Sequence, residues 1–204
     1  MEIDNLDQSV EKDRKQLERK RHPEDTKERE TEGFFKASVI EINDKGSTSL
    51  YNKYSEKSIH HNSTNTTAVK FHIKNVWLGN KNYKLELWLI EPKGRVEFLL
   101  PNYLRLSSIV AFVINYYDHK TLDKLKELVY LIKEEYEGLP ILLAFNIDSL
   151  GVLSEENRDK IIDYAMKIDL NGYIEVSVKS GQNIEEFFKA LVQLCLKKFS
   201  VQSD

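Results

Sequence analysis

Cysteine is almost missing: among 204 residues there is one, Cys195. An internal disulfide is excluded, and nothing points to an oxidising compartment. A basic excess is missing too, since the net charge is -3. Charge therefore argues against nucleic acid or an anionic membrane surface as partner. The first residues, MEIDNLDQSVEKDRKQ, contain no apolar stretch of the kind a secretory leader needs. No run approaches the roughly 18 apolar residues of a spanning helix. The end, CLKKFSVQSD, has no cysteine in a prenylation position, so no direct lipid anchor is expected. Metal-ligand spacing is absent as well: His60-His61 has no second pair, and a solvated loop explains it. Cys195 falls on an apolar helical stripe and reads as core. The expectation is a soluble, intracellular, cytoplasmic chain.

What is present suits one domain, because 41% hydrophobic residues supply one sizeable core. Residues 1–33 are dominated by Asp, Glu, Lys and Arg. Such a segment buries too little to offset its ordering entropy, and reads as disordered or as a solvated helix. Residues 34–200 form the domain, and 201–204 a short tail. Phe35 to Ile42 has a strand's composition, and a short helix with Leu50, Tyr51 and Tyr54 on one face starts near Ser47. Val69-Phe71-Ile73 and Lys84 to Ile90 alternate around a Gly79-Asn80 turn, which predicts an antiparallel hairpin. Ser108 to Tyr117 and Leu139 to Ile147 are apolar runs without alternation, as in strands buried on both faces. Helices are predicted over 121–137, stopped by Gly138, and from Ser154, with Ile161, Ile162, Ala165 and Met166 inward. Tyr173 to Val178 is a last strand, and Asn183 caps a final helix. This alternation predicts an α/β fold with helices on both faces of a mostly parallel sheet.

Several strings in this order resemble the Rab branch of the Rab/Ras-type small GTPases, from about Lys36 to Lys198. Leu85-Glu86-Leu87-Trp88 looks like the strand before switch II. Pro101-Asn102-Tyr103-Leu104-Arg105 looks like the end of the switch II helix. Ser177-Val178-Lys179 and the residues through Phe187 look like the S-A-K loop and the helix after it. The resemblance implies a three-layer P-loop NTPase fold: six strands, one of them antiparallel, with helices on both faces.

The resemblance also exposes departures. Against G-x-x-x-x-G-K-[ST] stand Glu41 to Thr48, in which Glu41 replaces the first glycine and Ser47 the lysine. Against D-T-A-G-Q stand Leu89-Ile90-Glu91-Pro92-Lys93. Pro92 has no N–H to offer a phosphate, and Lys93 accepts no hydrogen bond from an attacking water. Asn146 matches the first residue of N-K-x-D, Ile147 replaces the lysine, and the base-reading carboxylate position is either Ser149 or a shifted Asp148. The expectation is a pseudo-GTPase: not an enzyme, with no catalytic residue, cofactor or metal. It would act as a protein-interaction module in vesicle trafficking or in a cilium-like or cytoskeletal assembly. Its contacts would be the switch-like segments 58–68 and 91–105 and the N-terminal extension. The alternative is a divergent small GTPase that still binds GTP or GDP with Mg, with little or no hydrolysis. Its site would be Lys45, Gly46, Thr48, Thr66, Asn146, Ser177, Val178 and Lys179, with Thr48 and Thr66 facing the metal and Lys45 or Lys93 facing the phosphates. A third reading, likeness of fold alone with an unrelated pocket, fits Rab-like spacing over so much of the chain poorly.

Overall fold

Short apolar runs rich in Val, Ile, Leu and Phe become strands, and the amphipathic stretches between them become helices. In the computed structural model the described residues are 31–42, 50, 69–92, 99–115, 119–149 and 155–201. Strands β1 (Thr31–Ile42), β2 (Val69–Leu78), β3 (Lys81–Ile90), β4 (Ile109–Ile114), β5 (Ile141–Asn146) and β6 (Gly172–Val176) form one sheet. Its order is β2-β3-β1-β4-β5-β6. Among the described residues only β2 against β3 is antiparallel; the other four pairings are parallel. The expected α/β sheet with one antiparallel strand is thus present. Gly79 turns the hairpin at φ 59°, in the left-handed region that glycine enters without a Cβ clash.

Among the described residues the helices with both ends defined are α1 (Leu100–Leu104), α2 (His119–Glu135), α3 (Glu155–Lys167) and α4 (Ile184–Val201). Side chains on a strand alternate between faces, and the sheet carries an apolar layer on each side. Ala37, Val39, Ala111 and Val113 pack with Phe187, Phe188 and Leu191 of α4 and with Leu50. Ile40, Phe112, Ile114, Leu143 and Phe145 pack with α1, α2 and α3 on the other face. Every residue of β4 and β5 is buried, which is why neither shows polar alternation. Among the described residues no helix is long and apolar enough to cross a membrane.

Three boundaries and faces differ from expectation. β1 begins at Thr31, inside the segment assigned to the extension, because Thr31 and Gly33 pair with Asn82 and Tyr83. A Cβ on Gly33 would lie 3.3 Å from the Tyr83 ring, so the small residue lets the strand run on. Helix α4 reaches Val201, into the expected tail. Ile162 and Met166 point outward, Met166 being 64% exposed; Ile161, Ala165 and Ile168 face the core instead. The inward stripe of α3 is therefore narrower than its apolar content suggested. Tyr51, Tyr54, residues 1–30 and the loop 58–68 lie outside the described residues.

Candidate functional site

In open parallel sheets, ligands sit beyond the carboxyl ends of the strands. Here those ends carry Glu41 on β1, Asn115 after β4, Asn146 on β5 and Ser177-Val178-Lys179 after β6. Asn115 and Asn146 are 1% and 0% exposed, two amides at the ends of strands that are otherwise apolar. The Asn146 amide donates from Nδ2 to Asn115 Oδ1 at 2.7 Å. Its Oδ1 accepts from the backbone N–H of Val178 at 3.3 Å and, more weakly, of Asp148 at 3.4 Å. One buried side chain thereby ties the β4 end to two loops from different parts of the chain.

Asp148 lies in a single 3-10 turn, Ile147–Ser149. Ser177 Oγ donates to its Oδ1, and the Lys179 backbone N–H donates to its Oδ2 at 2.7 Å. Ser180 closes the same loop, its N–H and hydroxyl donating to Ser177 Oγ at 3.0 and 2.7 Å. A carboxylate offers about four acceptor sites on its two oxygens. Two are taken by the loop, which leaves one on each oxygen for a ligand with paired N–H groups. Ile147, at the position of the expected lysine, packs on the α2–α3 side of the core. Of the two positions left open for the reading carboxylate, Asp148 is the one beside Ser177–Lys179.

Asn146, Ser177, Val178 and Lys179 thus lie together at this end of the sheet. Lys45, Gly46, Thr48, Thr66 and Lys93 lie outside the described residues. Glu41 is buried at the end of β1, opposite Val113, and its side chain falls on the α4 side of the sheet, the side of Val39 and Val113. Asn115 was missed, because a polar residue closing an apolar run looks like an ordinary strand end.

A second feature lies on the opposite face of the sheet, across β2, β3 and β1. Phe71 stands opposite Trp88, and Trp88 opposite Ser38, in the strand registers. The Phe71 and Trp88 rings meet edge to face at 4.4 Å, and Trp88 lies 6.3 Å from the Tyr103 ring on α1. Phe71 is 50% and Ile73 58% exposed, so this apolar surface continues along the outer strand. Lys36 sits over the Trp88 ring at 3.8 Å and donates to the carbonyls of Tyr103 and Arg105, both at 2.7 Å. Burial lowers the Lys36 pKa from its ordinary value, and Glu86 opposes that shift. Ser38 and Ser107 share a hydroxyl bond at 2.8 Å, and Tyr136 Oη donates to the Pro101 carbonyl at 2.7 Å. The last turn of α1 is held from β1 and from the segment after α2.

Residues 37–197 match the model of the Ras family. The chain belongs to the Ras family. It is 25% identical over 172 residues to the human Ras-related protein Rab-8B, covering 82% of this chain and 81% of that one. With Ras-related protein Rab-12 of Mus musculus it shares 28% over 167 residues, 80% of this chain and 69% of the relative. With Ras-related protein Rab-13 of Canis lupus familiaris it shares 25% over 166 residues, 81% of each.

Membership of this GTPase family overturns the expectation that the chain is not an enzyme. That expectation weighed exchanged side chains at Glu41–Thr48 and Leu89–Lys93, together with the N–H that Pro92 lacks. Phosphates in such loops are held largely by backbone N–H groups, which every residue but proline supplies. Exchanged side chains in those strings are therefore insufficient grounds for removing the activity.

Proposed function

We propose that this Ras-family chain binds guanine nucleotide, hydrolyses it slowly, and acts chiefly by engaging protein partners. The observation that carries the nucleotide half is the Asp148 carboxylate, held by Ser177 and Lys179 with one acceptor site left on each oxygen. Guanine offers two adjacent N–H donors to such a group, whereas adenine offers no matching pair. A site built around hydrogen bonds rejects a ligand that leaves them unmade, commonly by orders of magnitude. Asn146 would hold the base-side loops, and Lys179 would cover the base with its aliphatic stem. Lys45, Gly46, Thr48 and Thr66 would face the phosphates and Mg, which when bound supplies charge neutralisation there. Slow hydrolysis follows from Pro92, which donates no N–H, and Lys93, which orients no water as an acceptor.

The protein-binding half is supported by the Phe71–Trp88–Tyr103 cluster, in which Phe71 is exposed and Trp88 and Tyr103 are half-buried, continued by exposed Ile73 and edged by Lys36. Contiguous aromatic surface with a polar rim is the composition of an interface centre. The switch-like segments 58–68 and 91–105 and the charged residues 1–33 would be further contact elements for partners. Trafficking, cilium-like or cytoskeletal assemblies are the setting this reading favours.

Calorimetry with GTP and GDP, with and without Mg²⁺, tests the nucleotide half. Wild-type binding should weaken by about 10- to 100-fold in Asp148→Asn, the loss of one or two hydrogen bonds to a charged acceptor. No binding to wild type at millimolar nucleotide, or unchanged binding in Asp148→Asn, would overturn it.

A further inference from the structure

Asn115 is expensive to bury. Every residue of β4 before it is apolar and buried, and Asn115 itself is 1% exposed. Its Oδ1 has a partner in Asn146 Nδ2, but among the described residues its own Nδ2 has none. A buried donor left unsatisfied loses its hydrogen bond to water and gains nothing in return. An aliphatic side chain continuing the strand would avoid that cost. The use of an amide here calls for a reason other than core stability.

The hydrogen bonds supply one. An asparagine amide can flip, exchanging its oxygen and nitrogen, at little cost in shape. Asn146 has to present oxygen to the N–H groups of Val178 and Asp148. An acceptor at position 115 forces that choice, because it needs Asn146 to present nitrogen on its other side. With the amide flipped, Asn146 would aim N–H groups at N–H groups, and both loops would lose their common anchor. The Asp148 carboxylate is attached to those same loops through Ser177 and Lys179.

We propose that Asn115 is a positioning residue for recognition of the purine base: its side-chain oxygen sets the orientation of Asn146, and through it the Asp148 carboxylate. The inference rests on the nucleotide-binding reading above. It predicts that Asn115 affects which base is preferred, not only how tightly any nucleotide binds.

The test compares GDP with IDP, which lacks the exocyclic amine of guanine, on wild type, Asn115→Ala and Asn115→Asp. Aspartate keeps an acceptor at the same place. Asn115→Ala should lower the GDP-over-IDP preference by about fivefold or more, the worth of one ordinary hydrogen bond. Asn115→Asp should keep the wild-type preference to within about twofold, whatever happens to its thermal stability. A purely structural role would weaken both nucleotides equally in Asn115→Ala, and that result would overturn the proposal. Asn115→Leu, similar in size and without an acceptor, replaces the alanine variant if the latter does not fold.

Amide exchange of Asp148 and Val178 in the nucleotide-free chain separates the two ways of failing. Both amides should exchange about tenfold faster in Asn115→Ala than in wild type or Asn115→Asp. Wild type that binds neither nucleotide would defeat the nucleotide reading. Unchanged exchange in Asn115→Ala would defeat the positioning role independently of it.

Discussion

Replacing Lys36 by methionine should loosen the end of α1 and cost the chain about 2 kcal/mol. Methionine keeps the apolar stem against Trp88 but removes the ammonium that donates to Tyr103 and Arg105. Two hydrogen bonds from a charged donor are worth up to about 1.5–3 kcal/mol each, and contact with the Trp88 ring adds roughly 0.5–1 kcal/mol at an exposed site. Two effects reduce that sum. The bond to Arg105 is exposed, so water replaces much of it, and the ammonium no longer has to be desolvated, the main cause of its lowered pKa. For a domain of this size about 2 kcal/mol corresponds to a drop in Tm of roughly 4–8 °C. Thermal unfolding followed by circular dichroism measures it. Trp88 fluorescence and amide exchange at Arg105 and Ser107 report whether the damage is local. A Tm within about 1 °C of wild type, with exchange at Arg105 unchanged, would refute the reasoning and leave α1 to its Ser38, Tyr136 and core contacts.

Other outcomes follow from the same structure. Trp88→Ala, which removes the centre of the half-buried aromatic cluster, should abolish capture of protein partners while leaving GDP affinity within about twofold; equal loss of both would point to unfolding rather than to an interface. Burial pushes the Cys195 thiol from 9.0 up to about 12. The folded chain then holds that proton more tightly than the unfolded one, so the stability it contributes is complete below pH 9 and is lost progressively towards pH 12. Cys195→Ala should flatten that part of a denaturation–pH curve, and a thiol reagent should label Cys195 only as the chain unfolds. Gly79→Ala meets no atom within 4 Å yet sits at φ 59°, so it should cost about 1–2 kcal/mol from backbone strain alone, read as a lower midpoint in urea. At Gly172 a Cβ would lie 3.1 Å from Leu142 Cδ1, and Gly172→Ala should lower the same midpoint through steric pressure between β5 and β6.

The sheet was legible because its central strands are short, continuous apolar runs, and because the hairpin shows period-two alternation around Gly79-Asn80. Helix faces were less so. Ile162 and Met166 lie close enough to the inward stripe of α3 to share its periodicity, and only packing against β5 and β6 distinguishes them from Ile161 and Ala165. In the site, Asn146 and Ser177–Lys179 could be found as strings, but a one-residue offset could not. Asp148 and Ser149 are equivalent until the loop after β6 supplies partners for one of them. Asn115 and the aromatic surface depend on cross-strand register, which joins residues such as Phe71 and Trp88 that no linear motif connects.

The position of β1 has a consequence for how the chain reaches this state. Among the described residues it is the first strand in sequence, yet it lies inside the sheet, between β3 and β4. Ala37 pairs with Leu87 on one side and Ile109 on the other, so neither neighbour exists when β1 leaves the ribosome. The β2–β3 hairpin, closed by a short turn, can form early from local contacts alone. β1 must wait for that hairpin on one edge and for β4 on the other, against the entropy of closing two long loops. During synthesis its apolar residues remain without partners until the middle of the chain has emerged, which makes that interval the one in which misassociation threatens most.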